Sequence, residues 1–143
     1  MIEFTRQMVL ARLREKIPDT VAQVEAMPDR PEQFRLNHAL AALLVQYPGS
    51  TSVQKGAQLE RKITIDVYVL TQQLSGPAGS DHYIDLVATA LFNFKPGSGF
   101  TGLLPVRDRF VDVNDERWQY VITFECIAPF YGQTIPLSEE SIS

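Results

Sequence analysis

The chain has 143 residues and a formal net charge of −4, with 45% hydrophobic and 21% charged side chains. That length fits one domain with a sizeable core, and the composition speaks against disorder and against an integral membrane protein. The acidic balance argues against a duplex-DNA binder, whose affinity needs a basic surface to displace counterions. The single cysteine, Cys126, excludes an internal disulfide framework and any Cys-built zinc site. The two histidines, His38 and His82, lie far apart and share no ligand spacing.

The first residues, MIEFTRQMVLARLREK, carry Glu3, Arg6, Arg12 and Arg14 inside every apolar run, so they read as neither a signal peptide nor a membrane span. A protein made in a reducing cytoplasm is expected. Ile2, Val9, Leu10, Leu13 and Ile17 fall on one helical face, with Arg6, Gln7, Arg14 and Glu15 on the other. Pro18 stops that helix. "TVAQVEAM" is expected to be a short strand, and "PDRPEQFRLN", with two prolines and four charges, a surface loop.

"HALAALLVQY" suits a strand ended by Pro48-Gly49, although Ala and Leu also favour helix. "QLERKITIDVYVLT" is the clearest element. Leu59, Ile63, Ile65, Val67 and Val69 point one way, while Glu60, Lys62, Thr64 and Asp66 point the other. This alternation is that of a long strand with one wet face. Between these strands, Pro48 to Ala57 is expected to be a long polar hairpin loop with Val53 as its one apolar anchor. Long loops of this kind are often functional.

"SGPAGSD" is a turn-rich linker in which Ser80 or Asp81 is the expected cap of the next helix. Tyr83, Leu86, Val87, Ala90, Leu91 and Phe94 share a helical face, and Pro96-Gly97 is the expected stop. "LLPVRDRFVDV" and "RWQYVITFECIAPF" then form a hairpin turning at Asn114-Asp115, with Trp118, Tyr120, Ile122, Phe124 and Cys126 on one face. The expected class is α+β, a mostly antiparallel sheet of about four to five strands with two helices packed on one face. Residues 1–131 form the expected single domain, and 132–143 a C-terminal tail that is mobile unless a partner holds it.

Motifs that carry chemistry are few. Gly97-Ser98-Gly99-Phe100-Thr101-Gly102 matches G-x-G-x-x-G, but it follows a helix and leads into a strand, the reverse of a dinucleotide fingerprint. Asp112, Asn114, Asp115 and Glu116 suggest a calcium loop, yet the positions that need Gly and a bidentate Glu hold Arg117 and Thr123. An acidic hairpin tip is the better reading. Cys126 reads as a small buried hydrophobe, and His82 lacks an orienting carboxylate or a nucleophile. No enzyme active site, metal or cofactor is expected. Arg107 and Arg109 share one strand face, where they either grip a partner's anions or pair with neighbouring acids. They are interface candidates.

Taken together, "HALAALLVQYPGS", "LERKITIDVYVLTQQL", "YIDLVATALFNFKPG" and "LLPVRDRFVDVNDERWQYVITFEC" resemble the tail terminator proteins of Mu-like contractile-tailed phages and prophages, over about residues 2–131. The strongest local features are the strand ending in VQYPGS, the F-K-P-G helix stop and the R-D-R-F-V…W-Q-Y hairpin. The resemblance implies a fold similar to the lambda-type tail terminator and tail-tube proteins. It also implies a ring, usually of six subunits, that caps the head-proximal end of the tail, ends tube and sheath polymerisation and docks to the head connector. The implied partners are further copies of the chain, the tail tube and sheath proteins and the head–tail connector, with DNA passing through the lumen without specific binding and no membrane. The implied locations are the host cytoplasm during assembly and the virion tail. With that role, Gly49, Ser50, Thr51, Ser52, Val53, Gln54 and Lys55 join Arg107 and Arg109 as interface candidates. A neck or tail-tube component on the same fold is the nearest alternative, and a small α+β enzyme or ligand-binding domain the more distant one.

Overall fold

The computed structural model describes residues 2–29, 40–55, 58–76, 79–114 and 117–129. Helix α1 (Ile2–Lys16) is followed by strands β1 (Gln23–Ala26), β2 (Ala41–Lys55) and β3 (Gln58–Thr71). Helix α2 (Ser80–Leu91) and strands β4 (Leu104–Asn114) and β5 (Arg117–Pro129) complete the order. The strands form one sheet ordered β1-β2-β3-β5-β4. Only β1 runs parallel to its neighbour; the other pairings are antiparallel. The α+β class is therefore as expected. Most of the proline-rich segment after Met27, His38 and the C-terminal tail lie outside the described residues.

The alternation of β3 sets the core. Ile63, Ile65, Val67 and Val69 are fully buried, and the register brings Val67 level with Val45 on β2 and Ile122 on β5. Val9, Leu10 and Leu13 of α1 and Tyr83, Val87 and Leu91 of α2 close the same cluster, so both helices cover this one face. Polar groups tie the layers. The Tyr83 hydroxyl donates to the Val21 carbonyl at 2.8 Å, and the Arg14 guanidinium donates twice to the Val24 carbonyl, at 3.1 and 2.9 Å. Arg12 Nε donates to the Ala90 carbonyl at 2.9 Å while its guanidinium lies over the Phe94 ring.

The other sheet face is less wet than expected. Ala42, Leu44 and Leu70 are buried there against Met27 and Tyr68, and Asp66 is only 9% exposed. Leu59, expected on the apolar row, is exposed: among the described residues it pairs only with Gln54 of β2, one step past the last β3–β5 pair at Glu60↔Pro129.

Helix α2 begins and ends differently from expectation. Its N-cap is Gly79, with no side-chain cap bond. The Ser80 hydroxyl is engaged sideways with Thr71 Oγ1 at 2.7 Å, which ties the helix start to the end of β3 instead. The helix ends at Leu91, ahead of Pro96. Asn93 takes a φ of 62° and turns the chain, and its N–H donates to the Leu103 carbonyl at 2.7 Å. Phe94 keeps the helical spacing by packing against the core from outside the helix.

Candidate functional site

The segment read as a polar loop is strand. The β2–β3 ladder resumes at Gly49↔Thr64 and runs to Lys55↔Gln58, leaving only residues 56 and 57 between the strands. The physical reason is local. A register shift between Gln46 and Gly49 absorbs Pro48, so its missing N–H falls at a bulge, where proline is tolerated. Beyond the bulge, Thr51, Ser52 and Val53 are exposed, and an arm wet on both faces has no apolar row to announce it. Ser50 fastens the bulge, its Oγ accepting from the Tyr47 hydroxyl at 2.9 Å and from Arg61 Nε at 3.0 Å.

Arg107 and Arg109 stand on β4 beside Thr123 and Val121 of β5, on the sheet face away from the helices. That face brings the two groups of interface candidates together. Arg107 and Arg109 line a shallow hollow with Gly49, Ser50 and Thr51 across the sheet. Its floor is Asp66, whose carboxylate accepts from Thr123 Oγ1 at 2.8 Å. Among the described residues neither arginine is ion-paired with an acid: Asp108, the obvious neighbour, pairs in register with Ile122 and so belongs to the opposite face. The hollow therefore presents two guanidinium groups, hydroxyls and the backbone of a bulge around the Asp66 carboxylate, and guanidinium groups are the side chains suited to pairing with carboxylates or phosphates. The arm beyond Ser50, from Ser52 to Lys55, extends out of it.

A second feature was missed from the sequence. Among the described strands β4 is the outermost on its side, and it exposes Leu104, Val106, Phe110, Val111 and Val113, the first two by 53% and 51%. Phe110 stacks edge-on against Trp118 and Tyr120, with ring centroids 6.1 and 5.6 Å apart. Register shifts at Pro105/Arg107 and Phe110/Asp112 make Val106 and Val111 extra residues of the strand. Apolar residues at 104, 106, 110, 111 and 113, out of step with simple alternation, were the available signal.

The remaining motifs have structural settings. The glycine-rich run links α2 to β4, and no helix starts from it. The Cys126 thiol is buried and burial pushes it up to about 11, so it is held as the unreactive neutral form. His82 is exposed, its ring edge-on to Tyr83. Asp112 accepts the Val113 N–H at 2.8 Å, while Asp115 and Glu116 lie outside the described residues. Among the described residues, no group of His, Cys, Asp and Glu is placed to hold a metal ion, and no helix is long and apolar enough to cross a membrane.

In comparisons with known proteins, the fold is similar to that of a chain in the virion of a native gene transfer agent (GTA) particle. The TM-score is 0.63 at 15% sequence identity, over 85% of this chain and 92% of that one. No curated protein matches the sequence. Residues 9–137 match the model of the Gp37 protein family, and because this match spans most of the chain, the chain belongs to that family.

Proposed function

We propose that the chain is a structural subunit of a phage-like particle, and within it a tail terminator. In this reading it forms a ring, of six copies by the sequence resemblance, on the head-proximal end of the tail tube. The ring ends tube and sheath growth and offers the surface to which the head connector docks. The observation that carries the structural role is the likeness of fold, over 85% of the chain, to a chain of a virion. The terminator role within it comes from the resemblance to the Mu-like family.

Physical features support the reading. A ring needs a heterologous contact, in which one surface meets a different one and the rotation closes. This subunit has two unlike sides, an apolar β4 edge and a polar β2–β3 arm. A net charge of −4 suits a lumen through which DNA passes without being held. The hollow at Arg107 and Arg109 is one candidate docking surface for a neighbour or for the tube. The role proposed is non-catalytic.

The test is native mass spectrometry or light scattering of the purified chain, alone and with purified tail tubes. A closed ring, free or at tube ends only, is the expected outcome. Open-ended rods would replace the terminator reading with that of a tube subunit. A monomer indifferent to tubes would move the role to the neck or away from tails.

A further inference from the structure

The hollow between the β2 bulge and β4 has a mixed chemistry that narrows what can fill it. Arg107 and Arg109 line it as exposed side chains with no ion-paired acid among the described residues. Asp66 forms the floor and is only 9% exposed. One of its carboxylate oxygens accepts from Thr123 Oγ1 at 2.8 Å, and the other meets no donor among the described residues. A carboxylate held that deep calls for a donor at its second oxygen, while guanidinium groups have only donors to offer. The matching occupant therefore carries carboxylate and hydroxyl together. We infer that the hollow is filled by the chain's own segment Ser138-Glu139-Glu140-Ser141, folded back over the sheet within the same copy.

The pattern of that segment fits the hollow. Successive side chains of an extended chain point to opposite sides. Glu139 and Ser141 therefore share one side and Ser138 and Glu140 the other. Either side turned to the sheet presents one carboxylate and one hydroxyl, about 7 Å apart. Asp66, Thr123 and Arg107 lie side by side on β3, β5 and β4. That sets the backbones of Asp66 and Arg107 about 10 Å apart, and their side chains converge on the one hollow. The carboxylate then accepts from a guanidinium group, and the serine hydroxyl donates to Asp66.

Length and direction fit as well. The described chain ends at Pro129, level with Glu60 and six residues along β5 from Thr123, a distance of about 20 Å. A four-residue turn over 130–133 would place Gly132 third, the position at which a type II turn favours glycine. From Gln133 to Glu139 the chain then returns about 20 Å when extended, which brings Glu139 and Glu140 level with Thr123 and Arg107. The segment lies over the face and not in the ladder, because β5 already has β3 and β4 on its two sides. Pro136, with no N–H to satisfy, is at no disadvantage there.

Charge selects this segment over the others outside the described residues. Residues 130–143 carry Glu139 and Glu140 and no basic side chain, whereas 30–39 carry Arg30 and Arg35 against Glu32 alone. Asp115 and Glu116 are held between Asn114 and Arg117, five residues of β4 beyond Arg109, or roughly 17 Å away.

The test is proteolysis of the full chain by a protease that cuts after glutamate, with scission after Glu139 and Glu140 followed by mass spectrometry. Rates are read against the free peptide of residues 133–143. Cleavage of the wild-type chain is expected to be at least about fivefold slower than that of Arg107→Gln with Arg109→Gln, the occupancy that such ion pairs and the Asp66 bond support. At about 1 M salt, where the screening length falls to about 3 Å, the wild-type rate should rise to that of the variant. In a mixture each chain should keep its own rate. Equal rates in wild type and variant would overturn the inference. Variant chains slowed or wild-type chains hastened by mixing would overturn it in favour of a segment supplied by a second copy. If the variant fails to fold, wild type decides alone, and a rate equal to that of the free peptide at low salt overturns the docking. One consequence, unlike the docking itself, rests on the ring reading. A neighbour or tube that uses the hollow must displace the segment, so Glu139→Gln with Glu140→Gln should form rings faster than wild type. Protection without that gain would keep the docking and take the hollow out of the ring contacts.

Discussion

Replacing Tyr83 with Phe isolates one bond that joins the helical layer to β1. The side chain is 1% exposed, and its hydroxyl donates to the Val21 carbonyl at 2.8 Å, just ahead of β1. Phe keeps the ring and its burial, so the loss is the hydrogen bond alone, about 1 kcal/mol. For 143 residues an unfolding entropy of about 2.1 cal/mol/K per residue makes that a fall in Tm of roughly 3 °C. Tyr83→Ala would add loss of the ring and a cavity, about 3–5 kcal/mol, and a fall of roughly 10–15 °C. Differential scanning calorimetry of the two variants separates the contributions. A Tyr83→Phe protein that melts with wild type would show that the bond to Val21 contributes nothing. One that falls as far as Tyr83→Ala would show that the hydroxyl organises the whole β1 end of the core.

Three further outcomes follow from the same packing. Gly102→Ala should lower stability by about 1–3 kcal/mol, since an added Cβ would sit 2.7 Å from Asn93 Cα and closer still to its side chain, in the turn that ends the helical region; a thermal melt within a degree of wild type would refute this. Burial raises the Cys126 thiol from 9.0 to about 11, so above pH 9 the unfolded chain ionises first. The thiol's contribution is full below pH 9 and lost as pH rises through about 11, and urea titrations of Cys126→Ala should show a shallower alkaline decline than wild type. Arg107→Glu with Arg109→Glu, both exposed, should change stability by about 0.5 kcal/mol at most yet weaken ring formation or tube capping; a large fall in Tm with assembly intact would assign the pair to the fold.

Where the chemistry of the sequence and the packing agree, the fold was legible. Ile63, Ile65, Val67 and Val69 alternate because one face of β3 meets the helices, and Tyr83, Val87 and Leu91 recur because one face of α2 meets the sheet. The arm was not legible for the converse reason. Periodicity records burial, and Thr51, Ser52 and Val53 lie where both faces meet water, while Pro48-Gly49 carries turn chemistry that a bulge absorbs. Ser80 looked like a cap because nothing local shows that its hydroxyl is taken by Thr71. The helix looked longer because Phe94 still packs on the core after Asn93 has turned the chain. The candidate site was half legible: both groups of residues could be picked out by type, but their meeting across the sheet depends on β5 lying between β3 and β4.

An apolar edge strand raises a physical problem, because it is a template for any other chain with a free edge. β4 carries its own restraints. Pro105 lacks an N–H, the extra residues Val106 and Val111 interrupt the even spacing of backbone groups, and the Val113 N–H is already given to the Asp112 carboxylate at 2.8 Å. A flat, regular partner strand would leave several of these groups unsatisfied. The outer edge of β2 is itself irregular, shifted between Gln46 and Gly49, and β1 limits where a strand can lie on it. Irregularity on both edges therefore disfavours promiscuous pairing. These features keep β4 from adding to an arbitrary strand.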